Sequence, residues 1–144
     1  LVPQRDTLFI QYNIACVYFK SGDVKNASRW LFMILNNSTI IYLADLHAKA
    51  KILNLIVQSE QNNVDLLPYT IRSTYRFLLK QHRLYRFERT IIKFLRLLPD
   101  VPNRDIKPAY AELKKELLGL SHDVYEKKAM DFFGLIEWLE KKSL

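Results

Sequence analysis

Apolar residues recur along this chain at intervals of three and four, the spacing that gathers them on one face of an α-helix. Leu8, Tyr12, Ala15 and Phe19 predict a first helix over about 6–20, with Asp6 or Thr7 as its N-cap. Ala27, Trp30, Leu31, Ile34 and Leu35 predict a second over about 24–36, capped by Asp23 and broken by Asn36-Asn37-Ser38. Leu43, Leu46, Ala50, Leu53 and Val57 predict a longer third helix over about 40–60. Asn62-Asn63 then suits the left-handed turn that ends a helix. A fourth helix over about 64–80 holds Pro68, tolerable only in a first turn. Gln81-His82-Arg83 breaks it, and a fifth continues to Leu98. Pro99-Asp100-Val101-Pro102-Asn103 imposes a loop, because two prolines three apart do not continue a helix. A sixth helix over about 105–118 carries Pro108 in its first turn and ends at Gly119. A seventh, capped by Ser121 or Asp123, runs to about Lys142 through Tyr125, Ala129, Phe132, Ile136 and Leu139.

The segment 8–37 resembles one tetratricopeptide (TPR) unit: small Ala15, Tyr18 three positions on, Gly22-Asp23 at the turn and Ala27 in the second helix. Short side chains at those positions let two helices approach within about 8–10 Å. Breaks near 22, 38, 62, 82, 101 and 120 give two-helix units of about 40 residues, longer than the TPR period of about 34. The turns Lys20-Ser21-Gly22-Asp23-Val24, Glu60-Gln61-Asn62-Asn63-Val64 and Lys80-Gln81-His82-Arg83-Leu84 resemble one another. Later units are degenerate: in the third turn's register Tyr75 stands for Ala15 and Phe87 for Ala27, so those helices pack less closely. HEAT-like pairing stays open. The resemblance implies an all-α, TPR-like right-handed stack of about seven antiparallel helices in a single domain spanning 1–144. A hairpin of this kind does not bury its apolar face alone, which implies stacked neighbours and a groove. In TPR proteins that hold chaperone tails a clamp Asn follows the small residue; here Cys16 stands there and Asn13 lies elsewhere, which argues against that role.

With 49% hydrophobic and 26% charged residues over 144 positions, the chain is long enough and apolar enough to bury a core. The single cysteine, Cys16, has no internal disulfide partner and falls in the apolar pattern of the first helix, which predicts core packing. No apolar run approaches the roughly 20 residues of a membrane span, and no signal peptide is visible. The chain begins Leu1-Val2-Pro3 without an initiator Met and is therefore expected to be a piece of a longer protein. The compartment and oligomeric state do not follow from the sequence, though the cytoplasm is favoured. Glu137, Glu140, Lys141 and Lys142 make the last helix polar enough to cap a stack, with Trp138 as either its last core anchor, the preferred reading, or an exposed contact.

Charge changes the picture more than composition does. Eight basic residues (Arg72, Arg76, Lys80, Arg83, Arg86, Arg89, Lys93 and Arg96) and one acid, Glu88, lie between 72 and 96. That window carries the entire net charge of +7, and the rest of the chain is neutral. If the chain turns at Gln81-His82 the stripe divides between two helices, and antiparallel packing would let them present one patch. Tyr75, Phe77, Tyr85, Phe87 and Phe94 interleave it: the phenylalanines are expected in the core, Tyr75 and Tyr85 at the surface. Three readings are open: a solvated face, a dock for an acidic peptide or protein segment gripped by guanidinium forks, or a nucleic-acid surface. The solvated face is the plainest reading of the stripe itself; of the two binding readings the acidic segment is preferred, the partner lying in the groove or on the patch, with Arg72, Tyr75, Arg76, Arg83, Tyr85, Arg86 and Arg89 as contact residues. The nucleic-acid surface is the alternative.

Nothing in the sequence assembles catalytic chemistry, and no cofactor, metal or membrane partner is expected. His47, His82 and His122 lack the spacing of a zinc site. Three isolated glycines build no phosphate loop. Ser121-His122-Asp123 is contiguous, so its side chains point apart and it reads as a helix start. The overlapping sequons at Asn36 and Asn37 are explained by an Asn-rich turn.

Overall fold

The computed structural model describes residues 3–82, 84–130 and 134–144, the side chain of Ala129 excepted. The described residues form α-helices and 3-10 turns with no strand, in two compact units, Leu1–Gln81 and His82–Leu144.

The first unit comprises α1 (Gln4–Lys20), α2 (Val24–Leu35), a 3-10 turn (Ser38–Tyr42), α3 (Ala44–Glu60) and α4 (Leu67–Lys80). Helix α1 packs on α2, α2 on α3 and α3 on α4. Asp23 starts α2 as the sequence predicts, its Oδ1 accepting the Asn26 N–H at 3.1 Å. At the far end of the hairpin Asn37 Nδ2 donates to Gln4 Oε1 at 3.1 Å, so α1 and α2 run antiparallel. Ala15 and Ala27 are both fully buried.

The turns after α1 and α3 are built alike. Gly22 (φ +85°) and Asn62 (φ +54°) are both left-handed. Asp23 N–H reaches back to the Tyr18 carbonyl at 2.9 Å and Asn63 N–H to that of Gln58 at 3.3 Å, each three residues past the last residue of its helix. These are Schellman bonds, which satisfy the carbonyls that a helix end leaves open. His82, third in the next turn, is left-handed too (φ +52°). Helices α1 and α3 are 17 residues each, and α3 begins and ends 40 positions after α1. Burial keeps the same offset: Leu8 and Ala48, Tyr12 and Ile52, Ala15 and Leu55, Cys16 and Ile56, Ala27 and Leu67, Leu31 and Ile71, Ile34 and Thr74 are buried in pairs.

Three boundaries differ from the sequence expectation. Helix α1 starts at Gln4 with Pro3 as N-cap, so neither Asp6 nor Thr7 caps it. The expected third helix is divided: Asn37 Oδ1 accepts the Thr39 N–H at 2.9 Å, a 3-10 turn buries Ile40, and Leu43 (φ −117°, ψ 70°) separates it from α3. The β-branched run Thr39-Ile40-Ile41 restrains side-chain rotation against an α-helical turn, which favours this break. Helix α4 starts at Leu67, three residues later than expected, with Pro68 in its first turn.

The second unit comprises α5 (Arg86–Leu97), a 3-10 turn (Leu98–Asp100), α6 (Asn103–Leu120), α7 (Val124–Met130) and α8 (Leu135–Lys142). Helix α6 packs on α5 and α8, and α5 also meets α7. Phe87, Ile91, Ile92, Leu95, Leu113, Leu117 and Leu139 fill the core. Tyr110 joins the helices, its ring centre 4.9 Å from Phe94 and 5.6 Å from Trp138, both edge-on. Trp138 is thus the core anchor expected of it.

Here the helix expected to end at Gly119 continues past it. Gly119 lies inside α6, which runs on to Leu120, whereas Gly134 (φ +78°) is the left-handed residue before α8 and divides the expected seventh helix in two. Tyr125, assigned to that helix's apolar face, is 78% exposed. Ala129's side chain and Phe132 lie outside the described residues. Because α6 starts at Asn103, Pro108 sits in its second turn.

Candidate functional site

Helix α4 is amphipathic for a local reason. Leu67, Ile71, Thr74 and Leu78 recur at steps of four, three and four and are buried, while Tyr69, Arg72, Ser73, Arg76, Leu79 and Lys80 are exposed. At about 100° per residue, Tyr69, Arg76 and Lys80 align along the middle of the solvent face, with Arg72 and Leu79 on one flank and Ser73 on the other. The helix contains no Asp or Glu. Among the described residues no carboxylate pairs with Arg72, Arg76 or Lys80.

Helix α5 buries Phe87, Glu88, Ile91, Ile92 and Leu95 and exposes Arg86, Arg89, Lys93 and Arg96. Its N-terminus is tied down. Glu88 Oε1 accepts the Tyr85 N–H at 2.9 Å. Glu126, buried on α7, accepts the backbone N–H groups of Arg86 at 2.7 Å and Phe87 at 3.1 Å, two of the donors that a helix start leaves open. The Arg86 guanidinium then folds over the same residues, Nη2 2.9 Å from Asp123 Oδ2 and Nε 3.5 Å from Glu126 Oε1. Asp123 caps α7 as expected, its Oδ1 accepting the N–H groups of Tyr125 at 2.9 Å and Glu126 at 3.3 Å. Those backbone donors, and Arg86 after them, hold the Asp123 carboxyl below the usual carboxylate range.

The sequence-derived contact residues therefore have different fates. Arg72, Arg76 and Arg89 are exposed. Arg86 is exposed as well, but its guanidinium is committed to the α5–α7 junction. Tyr75 is half-buried, and Tyr85 is half-buried with its ring 6.0 Å from that of Phe87. Arg83 lies outside the described residues. Of the phenylalanines expected in the core, Phe87 is buried while Phe77 and Phe94 are half-buried. Sequence reasoning missed Tyr69, which is 65% exposed and three residues before Arg72. The spacing of three from Tyr69 to Arg72 was the available signal, since the expected helix over about 64–80 already contained both residues.

Other titratable groups do not converge. The His47 ring lies 4.3 Å from that of Phe77, and Lys51 Nζ sits 5.1 Å over the same ring. Burial, then the Lys51 charge, lowers His47 to about 4, and burial also lowers Lys51. Burial raises the Cys16 thiol, which is packed in the core as expected. The Ser121 hydroxyl donates to the Leu118 carbonyl at 2.5 Å while Asp123 caps α7, so Ser121-His122-Asp123 forms a helix boundary. Asn36 Nδ2 donates to the Phe32 carbonyl at 2.7 Å, and the Asn37 amide is engaged in its own turn. Among the described residues no three His, Cys, Asp or Glu gather to hold a metal ion, and no helix is long and apolar enough to cross a membrane. No protein-family model matches the chain, and no curated protein or solved structure is significantly similar to it.

Proposed function

We propose that this chain is a non-catalytic interaction module that holds an acidic peptide or protein segment against the exposed cations Arg72, Arg76 and Lys80 of α4, within the basic window 72–96. The observation that carries this reading is the solvent face of α4: three cations, no acid on the helix and no ion-pair partner among the described residues. A solvated face usually mixes both signs, as the i,i+4 pairing of acids with bases stabilises an exposed helix. Leaving cations uncompensated forgoes that gain and leaves the guanidinium forks available to carboxylates. The scaffold is read as a TPR-like helical repeat, supported by the 40-position offset between α1 and α3 and the matching burial in the two hairpins.

The test is retention of partner proteins from lysate by the native chain and by Arg72→Glu/Arg76→Glu. Arg86 is unsuitable for charge reversal, because a third carboxylate beside Asp123 and Glu126 would disturb the fold itself. Loss of a specific protein with the double variant supports the reading; equal capture overturns it. A nucleic-acid reading draws on Arg89, Lys93 and Arg96, which add exposed cations on α5. A captured nucleic acid whose affinity falls steeply with salt would favour it.

A further inference from the structure

The solvent face of α4 is more specific than a positive patch. Arg72, Arg76 and Lys80 follow one another at single-turn steps of about 6 Å along the axis, so the three charges span about 12 Å on one rigid rod. Tyr69 lies near their line one turn N-terminal to Arg72, and Leu79 lies beside Lys80 at the other end; they are 65% and 46% exposed. The face is therefore a cationic row with an apolar contact at each end. It is rigid because the opposite side of the same helix is locked by Ile71, Thr74 and Leu78, which are 3%, 1% and 0% exposed.

A ligand that complements this row needs carboxylates at the same pitch and apolar side chains beyond them. An α-helix with acids at i, i+4 and i+8 supplies that pitch, since its rise per turn equals that of α4, and helix-on-helix packing places apolar residues over Tyr69 and Leu79. We infer that α4 docks an acidic amphipathic helix of a partner protein, lying along Tyr69–Lys80, with Arg72, Arg76 and Lys80 each meeting a carboxylate. This rests on the interaction-module reading above and narrows it to one helix and one ligand geometry. Nucleic acid fits the face less well. Single strands gain affinity by stacking successive bases on aromatic side chains, and among the described residues Tyr69 is the one exposed aromatic on α4. Leu79 offers a phosphate backbone no contact of value.

The experiment is a fluorescence-anisotropy titration of the whole chain with three labelled probes at low salt. One is a capped helical peptide with glutamates at i, i+4 and i+8 and a leucine at each end. The second has the same composition with its glutamates distributed around the helix. The third is a single-stranded oligonucleotide of similar net charge. The inference predicts that the first binds at least about tenfold more tightly than the second. It also predicts that Arg72→Glu/Arg76→Glu removes this binding and that Tyr69→Ala weakens it severalfold without changing thermal stability. Equal binding of the two peptides, both lost in the double variant, overturns the helical register while leaving the acidic-partner reading standing. Peptide binding insensitive to the double variant overturns both. Tighter binding of the oligonucleotide than of either peptide overturns the protein ligand.

Discussion

Glu126 on α7 accepts the backbone N–H of Arg86 at the first residue of α5, at 2.7 Å, across 40 residues of sequence. A second oxygen takes the Phe87 N–H at 3.1 Å, so one buried carboxylate does for α5 what an N-cap side chain ordinarily does from within. The helix dipole favours a negative charge at this position, and Arg86 closes over it from the other side. The junction therefore depends on a charge that its own sequence neighbourhood does not explain.

Removing that carboxylate should destabilise the second unit. Glu126→Ala leaves two donors open at a buried helix start, with an expected cost of about 2–3 kcal/mol. Glu126→Gln keeps one acceptor and should cost less. Urea denaturation measures both, and an unchanged midpoint for Glu126→Ala would show that water replaces the carboxylate without loss.

Charge reversal should separate Arg86 from its neighbours on the basic stripe. Arg86→Glu faces Asp123 and Glu126 and is expected to destabilise by about 1–2 kcal/mol, discounted for the solvent exposure of the guanidinium. Arg72→Glu and Arg76→Glu touch no ion-pair partner among the described residues and should stay within about 0.5 kcal/mol of the native chain. Thermal melts of the three variants check this ordering.

Acid should weaken the fold through His47. Its pKa is about 4 in the folded chain against 6.5 for the free side chain, so between those values the unfolded chain binds more protons. The stabilisation is fully present above about pH 6.5 and is lost as pH falls toward about 4. With roughly half the ring exposed, the loss should amount to about 1 kcal/mol rather than the full value of the shift. His47→Leu should flatten stability across that window. Asp123, lowered by the N–H groups it caps, and Asp23, lowered first by the Asn26 side-chain amide and then by the Asn26 backbone N–H, act at lower pH, losing their contribution as pH falls below the ordinary carboxylate range.

The left-handed turn positions make a backbone prediction. A Cβ added at Gly22 meets no heavy atom within 4 Å, so Gly22→Ala reports conformational cost alone, about 1 kcal/mol of destabilisation. His82→Gly relieves the same conformation where a side chain now bears it and should be neutral or stabilising by about 0.5 kcal/mol. Paired denaturation curves test the opposite signs.

Much of the first unit was legible because its signals are local. Asp23 caps within three residues, Gly22 and Asn62 supply left-handed turns, and the apolar spacing of Leu8, Tyr12, Ala15 and Phe19 names the buried face of α1. The second unit was less legible. Gly119 and Gly134 carry the same side chain, and local sequence does not say which of them leaves the helical region. The exchange of Arg86 from ligand contact to structural clasp follows from Glu126, whose approach to α5 is a tertiary event. The candidate site was legible as a charge run, but its geometry was not: burial of Leu67, Ile71, Thr74 and Leu78 decides which side of α4 faces solvent, so that Tyr69 shares that face with Arg76 while Tyr75 turns partly inward.

Docking of an acidic helix on α4 is tested by an amide chemical-shift map of the isotope-labelled chain titrated with a glutamate-rich helical peptide. Perturbations are expected to concentrate at Tyr69, Arg72, Ser73, Arg76 and Lys80 and to be absent in Arg72→Glu/Arg76→Glu. Perturbations confined to α5, or none at any peptide concentration reached, would contradict that docking.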